Sequence, residues 1–487
     1  MRKLMHVGVA ALLVSLMLCI PALADELHVG TKDGYSSLTA AVEAAAPGDV
    51  IRLAPKVYDE PNETYPIEIN KPVSLIGEPG TVLKGPPFKA LLKVTASDVS
   101  VEDVEIQLLR WGIVDTGDRL SLANCRFVLA DDAYRVSSCG VWMAGVFDCS
   151  ITNCDFNGCG VCMAGPSLSE RSKELPVLTG LFEVGEDTAF FTSHTLTDNL
   201  INGKPLYYFV NETNLSVPRD AGGVIAACCE NITVEGVDVS GSSMGLELVH
   251  CQNVQVSGVT ADRCGIFGVY LAHVNGGIVK NVTCLEANHG IDLRAVQSMI
   301  VTGCDTTDCE QGIFLSHAYD CIVDNCSISR CGNGFFIAGG EGNQLSDSFV
   351  EGNDNGVYIQ GEKDMLVCGN EITLNKVAGV RFLRSGGQVT GNNIHDNQTG
   401  VLASEDDPLT LWRNSLSGNA SAGLYMKDIT SGKISFNSFD STEKVFMELD
   451  GSIADTLIWQ NTFHGGMNRI IDHTGIKVPL ALNNWSE

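Results

Sequence analysis

Three short stretches set the pattern of the chain: FGVYLAH (267–273), HGIDLR (289–294) and QGIFLSH (311–317). Each begins a strand-like run in which a glycine is followed by an aliphatic residue, a variable residue and a second aliphatic residue. Followed in both directions, the element recurs at Gly245, Gly268, Gly290, Gly312, Gly334, Gly356, Gly379, Gly400 and Gly423, in steps of 21 to 23 residues. GVWM at Gly140 and GVCM at Gly160 are earlier copies, and VFMEL (445–449) is a degenerate later one. A constant period of this length is the signature of a solenoid.

Each period holds a second apolar run before a polar turn, as in VTGCDT, VDNCSI and VTGNNI. Runs this short, alternating with period two and broken by Gly, Asn and Asp, are strands and turns. One period cannot bury its own apolar face, but stacked copies can, with parallel strands about 4.8 Å apart. The expected fold is all-β, a parallel β-helix forming one elongated domain over residues 25–487. A helix over 36–46, N-capped by Ser36-Ser37 and carrying Leu38, Ala41, Val42 and Ala45 on one face, is expected to cap the first rung. Residues 166–222 lack the repeat and are expected to form an insertion packed on the flank. Residues 1–24 have the form of a signal peptide, with Arg2 and Lys3, an apolar core and Ala22-Leu23-Ala24 as a cleavage site. An exported protein without a membrane span is therefore expected.

The net charge of −28 argues against nucleic acid and anionic membranes as partners. It also disfavours polyanionic substrates, unless local arginines reverse the field. Nine Asn-x-Ser/Thr sequons, at Asn62, Asn211, Asn214, Asn231, Asn281, Asn325, Asn397, Asn419 and Asn484, are compatible with glycosylation and equally with Asn-rich turns. Of eighteen cysteines, Cys304 falls above Cys326 and Cys309 above Cys331 in the repeat. They read as small core residues or as ladder disulfides. Cys159 and Cys162 have metal-site spacing, but residues three apart on a strand face opposite ways.

The start of the chain, SLTAAVEAAAPGDVIRLAPKVYDE with INKPVSLIGE, resembles right-handed parallel β-helix proteins related to pectate lyases. NGKPLYYFVNE (202–212), VPRDAG (217–222) and NITVEGVDVS, followed by the short repeats, look like NosD-type proteins. That family includes a periplasmic copper-binding factor and archaeal surface proteins. The resemblance implies a right-handed coil, a periplasmic or cell-surface location, and carbohydrate or copper as ligands. It leaves activity open, because one solenoid carries many functions.

Counted from each repeat glycine, positions +1 and +3 are aliphatic and should point inward, so +2 should point outward. The +2 row reads Glu247, Tyr270, Asp292, Phe314, Phe336, Tyr358, Arg381, and the +5 row His250, His273, Ala295, His317, Gly339, Gly361, Arg384. Tyr270, Phe314, Phe336, Tyr358 and Arg381 would form a carbohydrate platform. Asp292, His273 and Arg294 would supply base and cation for lyase or epimerase chemistry at a uronate. Glu247, His250 and His273 would suit copper. Calcium could sit in the Asp/Asn turns, although no EF-hand loop or Asp-rich nonapeptide is present. The bland alternatives are aromatics covered by the 166–222 segment and a surface ion pair between Asp292 and Arg294.

Overall fold

A computed structural model describes residues 24–166 and 186–487, apart from 406–407, 430, 441, 443, 454, 476–479, 481 and 487. All but the last position of the expected signal peptide lies outside the described residues. The chain is a parallel β-helix. Successive rungs pair in parallel and in register, so that Val269, Ile291 and Ile313 align, as do Tyr270, Asp292 and Phe314. The +1 and +3 residues Val269, Leu271, Ile291, Leu293, Ile313 and Leu315 are wholly buried in the lumen. The repeat glycine is required by a close approach. A Cβ on Gly268 would stand 2.7 Å from the Gly290 carbonyl oxygen, and one on Gly290 equally close to that of Gly312. Residues −1 and +2 meet on the outer face, where the rings of Phe267 and Tyr270 stack at 4.7 Å.

Each strand of this face meets a left-handed residue at +5, and the strands Gln311–Tyr319, Asn333–Glu341 and Asn355–Lys363 continue past it. His250, His273, Ala295 and His317 have φ of 53°, 51°, 49° and 50°. A conformation that most side chains avoid explains the polar and glycine-rich row. Other corners carry the cysteines. Asp308, Asn325 and Arg330 are left-handed, and the next residue, Cys309, Cys326 or Cys331, points into the lumen. Its thiol donates to the carbonyl two residues back, at 3.4, 3.2 and 3.3 Å. Beyond Cys331, asparagine takes over two of the cysteine columns, at Asn353 directly above Cys331 and at Asn370 after an intervening Ser348. Asn397 donates from Nδ2 to the His395 carbonyl at 3.0 Å and to Asn419 Oδ1 at 3.2 Å, while its own Oδ1 accepts from Asn375 N at 3.0 Å. Two such ladders run up the lumen, Asn353–Asn375–Asn397–Asn419 and Asn370–Asn392–Asn414–Asn437–Asn461–Asn483. The sequon residues Asn397 and Asn419 are ladder members, each 1% exposed.

The helix is observed as Leu38–Ala44, with Ser37 Oγ accepting from Ala40 N. The Glu63 carboxylate accepts from Leu38 N and Thr39 N at its start, and Lys71 Nζ donates to the Glu43 and Ala45 carbonyls at its end. Both charges complement the helix dipole.

The buried side chains fall into two cores, one built mainly from Val29–Leu206 and one from Val217–Phe463. The outer faces of Ile225, Met244, Phe267, Tyr270 and Ala272 belong to the first core, so the two stacks press together along this side. Ser137 N donates to the Gly265 carbonyl, Gly160 N to Ser243 Oγ and Met163 N to Glu247 across the seam. The expected flank insertion is corrected for its described part. Thr195–Thr197 pairs with Ser150–Thr152 as a further rung of the first stack, and Lys204–Val210 pairs in parallel with Gly223–Ala227 at the start of the second. Degenerate rungs hide from a search for the repeat glycine. Residues 167–185 of that segment lie outside the described residues. Among the described residues, no helix is long and apolar enough to cross a membrane.

Candidate functional site

The +2 row does leave the lumen, but its two ends differ. Glu247, Tyr270 and Asp292 are fully buried, whereas Phe314, Phe336, Tyr358 and Arg381 are partly exposed. Tyr270 lies in the core of the first stack, together with Trp111, Val114 and Trp142 and with Phe191, Leu196, Ile201 and Leu206 from the described part of the 166–222 segment.

Asp292 is the centre of a closed polar network. Arg294 Nε donates to Oδ1 at 2.8 Å and Arg294 Nη2 to Oδ2 at 2.9 Å, while His289 Nδ1 lies 2.6 Å from Oδ2. The surface ion pair of the sequence reading is thus buried, with Arg294 only 12% and His289 14% exposed. Burial by itself would push the Asp292 carboxyl up, but the Arg294 charge and the Arg294 and His289 hydrogen bonds hold it below the usual carboxylate range. The rings of Phe267, Tyr270 and Phe314 surround Arg294, their centroids 5.4, 5.8 and 5.3 Å from its Cζ. His289 meets Phe267 and Phe314 edge-on at 5.1 and 5.6 Å. His289, not His273, is therefore the partner of Asp292. Its signal was present in HGIDLR, but strict strand alternation assigns −1 and +2 to opposite faces, whereas the two side chains meet on one.

The aromatic column is built differently from a flat platform. Phe314 and Phe336 lie 5.0 Å apart, and Phe336 and Tyr358 stack at 4.8 Å with planes 9° apart. Arg294 closes one end of the column and Arg381 the other, 4.8 Å from the Tyr358 ring. With rings stacked at the rung spacing, the faces are turned toward neighbouring rungs and the edges outward. Beside the column runs a row of amides. Asn333 Nδ2 donates to Gln311 Oε1 at 3.1 Å and Asn355 Nδ2 to Asn333 Oδ1 at 2.8 Å.

The expected copper ligands are not gathered. Glu247 accepts from Met163 N at 3.3 Å on the seam, and burial pushes its carboxyl well above the usual range. His250 and His273 stack at 4.6 Å with planes 8° apart. Nitrogens bound to one ion at roughly 2.0–2.1 Å cannot be much more than ~4 Å apart, and their lone pairs must converge, which stacked rings do not favour. Among the described residues, no three His, Cys, Asp or Glu side chains form a metal-holding group. All seventeen described cysteines are thiols, and burial raises Cys264 to about 12 and Cys284 well above its ordinary value. Cys159 and Cys162 are both buried core residues.

A family model described as periplasmic copper-binding protein (NosD) matches residues 194–347 and 310–487. The chain belongs to the NosD family. A second model, a protein of unknown function (DUF1565), matches residues 25–106 of this NosD-family chain. No curated protein matches it significantly. Among solved structures, a mutant of the periplasmic alginate epimerase AlgG is 12% identical, covering 78% of this chain and 83% of its own, with a TM-score of 0.35. An exopolygalacturonase from Thermotoga maritima is 10% identical, covering 83% and 84%, with a TM-score of 0.28. Tailspike protein 3 of bacteriophage CBA120 is 14% identical, covering 87% and 58%, with a TM-score of 0.26. At these values the neighbours carry no functional argument.

Proposed function

We propose that this NosD-family protein is an exported, non-enzymatic binding scaffold, which receives a polysaccharide along the open half of its outer row. The observation that carries the reading is the change along one row, sealed up to Asp292 and accessible from Phe314 to Arg381. The accessible half offers apolar ring edges beside the amides of Gln311 and Asn333, a surface suited to sugar C–H groups and hydroxyls together. A catalytic role for Asp292 and Arg294 is disfavoured. Both carboxylate oxygens are taken, and the group is buried with no exposed surface for a C5 proton to approach.

The test is a glycan array on the purified chain, followed by titration of each hit against Phe336→Ala and Tyr358→Ala. Binding weakened by about tenfold or more in both variants is expected, as for loss of a central contact. Copper retained by a chain that binds no glycan would sink the reading, and so would sugar binding that both variants keep in full.

A further inference from the structure

Arg381 stands out among the cations of the outer row. Arg294 on the same face is committed to Asp292, and Arg384 nearby pairs with Glu405 at 3.0 Å. Arg381 makes no ion pair among the described residues, although the chain has 59 acidic residues against 31 Lys and Arg. Its Nε is buried without a hydrogen-bond partner, and the guanidinium is held by the Tyr358 ring. A second polar atom waits one rung away. Asn355, 9% exposed, spends its Nδ2 on Asn333, while its Oδ1 is buried without a partner. Tyr358 lies between them, three residues along the strand from Asn355 and in register with Arg381. Buried polar groups are normally satisfied, so an unpaired donor and an unpaired acceptor on one face call for a ligand with the opposite set.

We propose that Arg381 and Asn355 form a subsite for an acidic sugar: the anionic group binds the Arg381 guanidinium and a neighbouring hydroxyl donates to Asn355 Oδ1. This rests on the glycan reading above and narrows it to polysaccharides bearing carboxylates or sulfates. A planar guanidinium stacked on an aromatic ring is pre-organised for such an anion. The overall acidity slows the approach of a polyanion by long-range repulsion, which salt screens, and leaves the short-range contact in place.

The experiment compares three polymers on the full-length mature chain: a polyuronate, the same polymer with its carboxyls reduced to alcohols, and a sulfated polysaccharide. Wild type, Arg381→Gln, Arg381→Lys and Asn355→Ala are titrated with each, and their thermal midpoints confirm that the fold is kept. Arg381→Gln should weaken polyuronate or sulfated-polymer binding about tenfold or more, with Arg381→Lys in between and the reduced polymer unaffected. The stronger of the two acidic arms identifies the anion. Equal affinity of wild type for the polyuronate and its reduced form, with no sulfated binding, would overturn the acidic subsite while sparing the glycan reading. Binding of none of the three, together with an empty glycan array, would overturn both.

Discussion

The rungs from Met244 to Cys331 and those from Asn333 to Asn483 share a backbone but solve two problems differently. In the first group, a thiol closes the lumen corner and makes a weak bond to the carbonyl two residues back. In the second, an amide closes the same corner, and its oxygen also takes the main-chain N–H of the rung before. The outer row changes along the same direction, from a sealed acid–arginine–histidine network to an aromatic column that reaches solvent. The seam with the other stack touches only the early rungs, from Met244 to Asn288, while the thiol corners continue beyond it to Cys331.

That contrast can be broken most sharply at Arg294. Arg294→Ala leaves Asp292 buried with only His289 for company, and should cost about 3–5 kcal/mol in denaturant unfolding. A loss typical of exposed ion pairs, under about 1 kcal/mol, would mean the network is wetter than the 0% exposure of Asp292 implies.

The corners come next. Asn397→Ala removes the acceptor for Asn375 N and Nδ2, leaving buried donors unpaired, and should cost about 2–3 kcal/mol. Cys309→Ala, which deletes the weak thiol contacts to the Thr307 and Cys284 carbonyls and a small volume, should cost about 1 kcal/mol. Equal losses would erase the distinction between the two groups of rungs.

Titration sharpens it in two directions. Asp292 has a lowered value in the fold, so its contribution is present above the unfolded carboxylate value and is lost as pH falls through the folded one. Glu247 has a raised value, so its contribution is present below the unfolded value and is lost as pH rises through the folded one. Thermal midpoints measured against pH should therefore lose their high-pH decline in Glu247→Gln and part of their acid-side decline in Asp292→Asn. The smallest effect is expected from Cys331→Asn, which extends a ladder by one rung toward Asn353. A gain of about 0.5–1 kcal/mol in unfolding free energy would show that the corner accepts either residue.

Much of this was legible beforehand for a physical reason. A solenoid repeats one local solution, so the Gly268, Gly290 and Gly312 spacing reports the rung directly, and the inward Val and Leu positions follow from alternation. The cysteine stacking of Cys304 with Cys326 and of Cys309 with Cys331 was equally visible. The asparagine ladders look like ordinary turn residues by local rule, although Asn353, Asn375, Asn397 and Asn419 recur in the same column as Cys331. The part of the site that was misread depends on contacts between residues far apart in the chain. Tyr270 and Glu247 belong to an outward row by local rule, and only the first stack lying across them makes them interior.

The sequence by itself determined the coil, its rung length, the capping helix and the identity of every residue on the outer row, because those depend on periodicities of two and about 22 residues. Tertiary structure alone decided which part of that row is open. It paired Asp292 with His289 on one face, turned the aromatic faces along the axis, and left Arg381 and Asn355 with unsatisfied atoms. Local periodicity sets the direction of a side chain. Whether that direction leads to water depends on another part of the chain coming to lie across it.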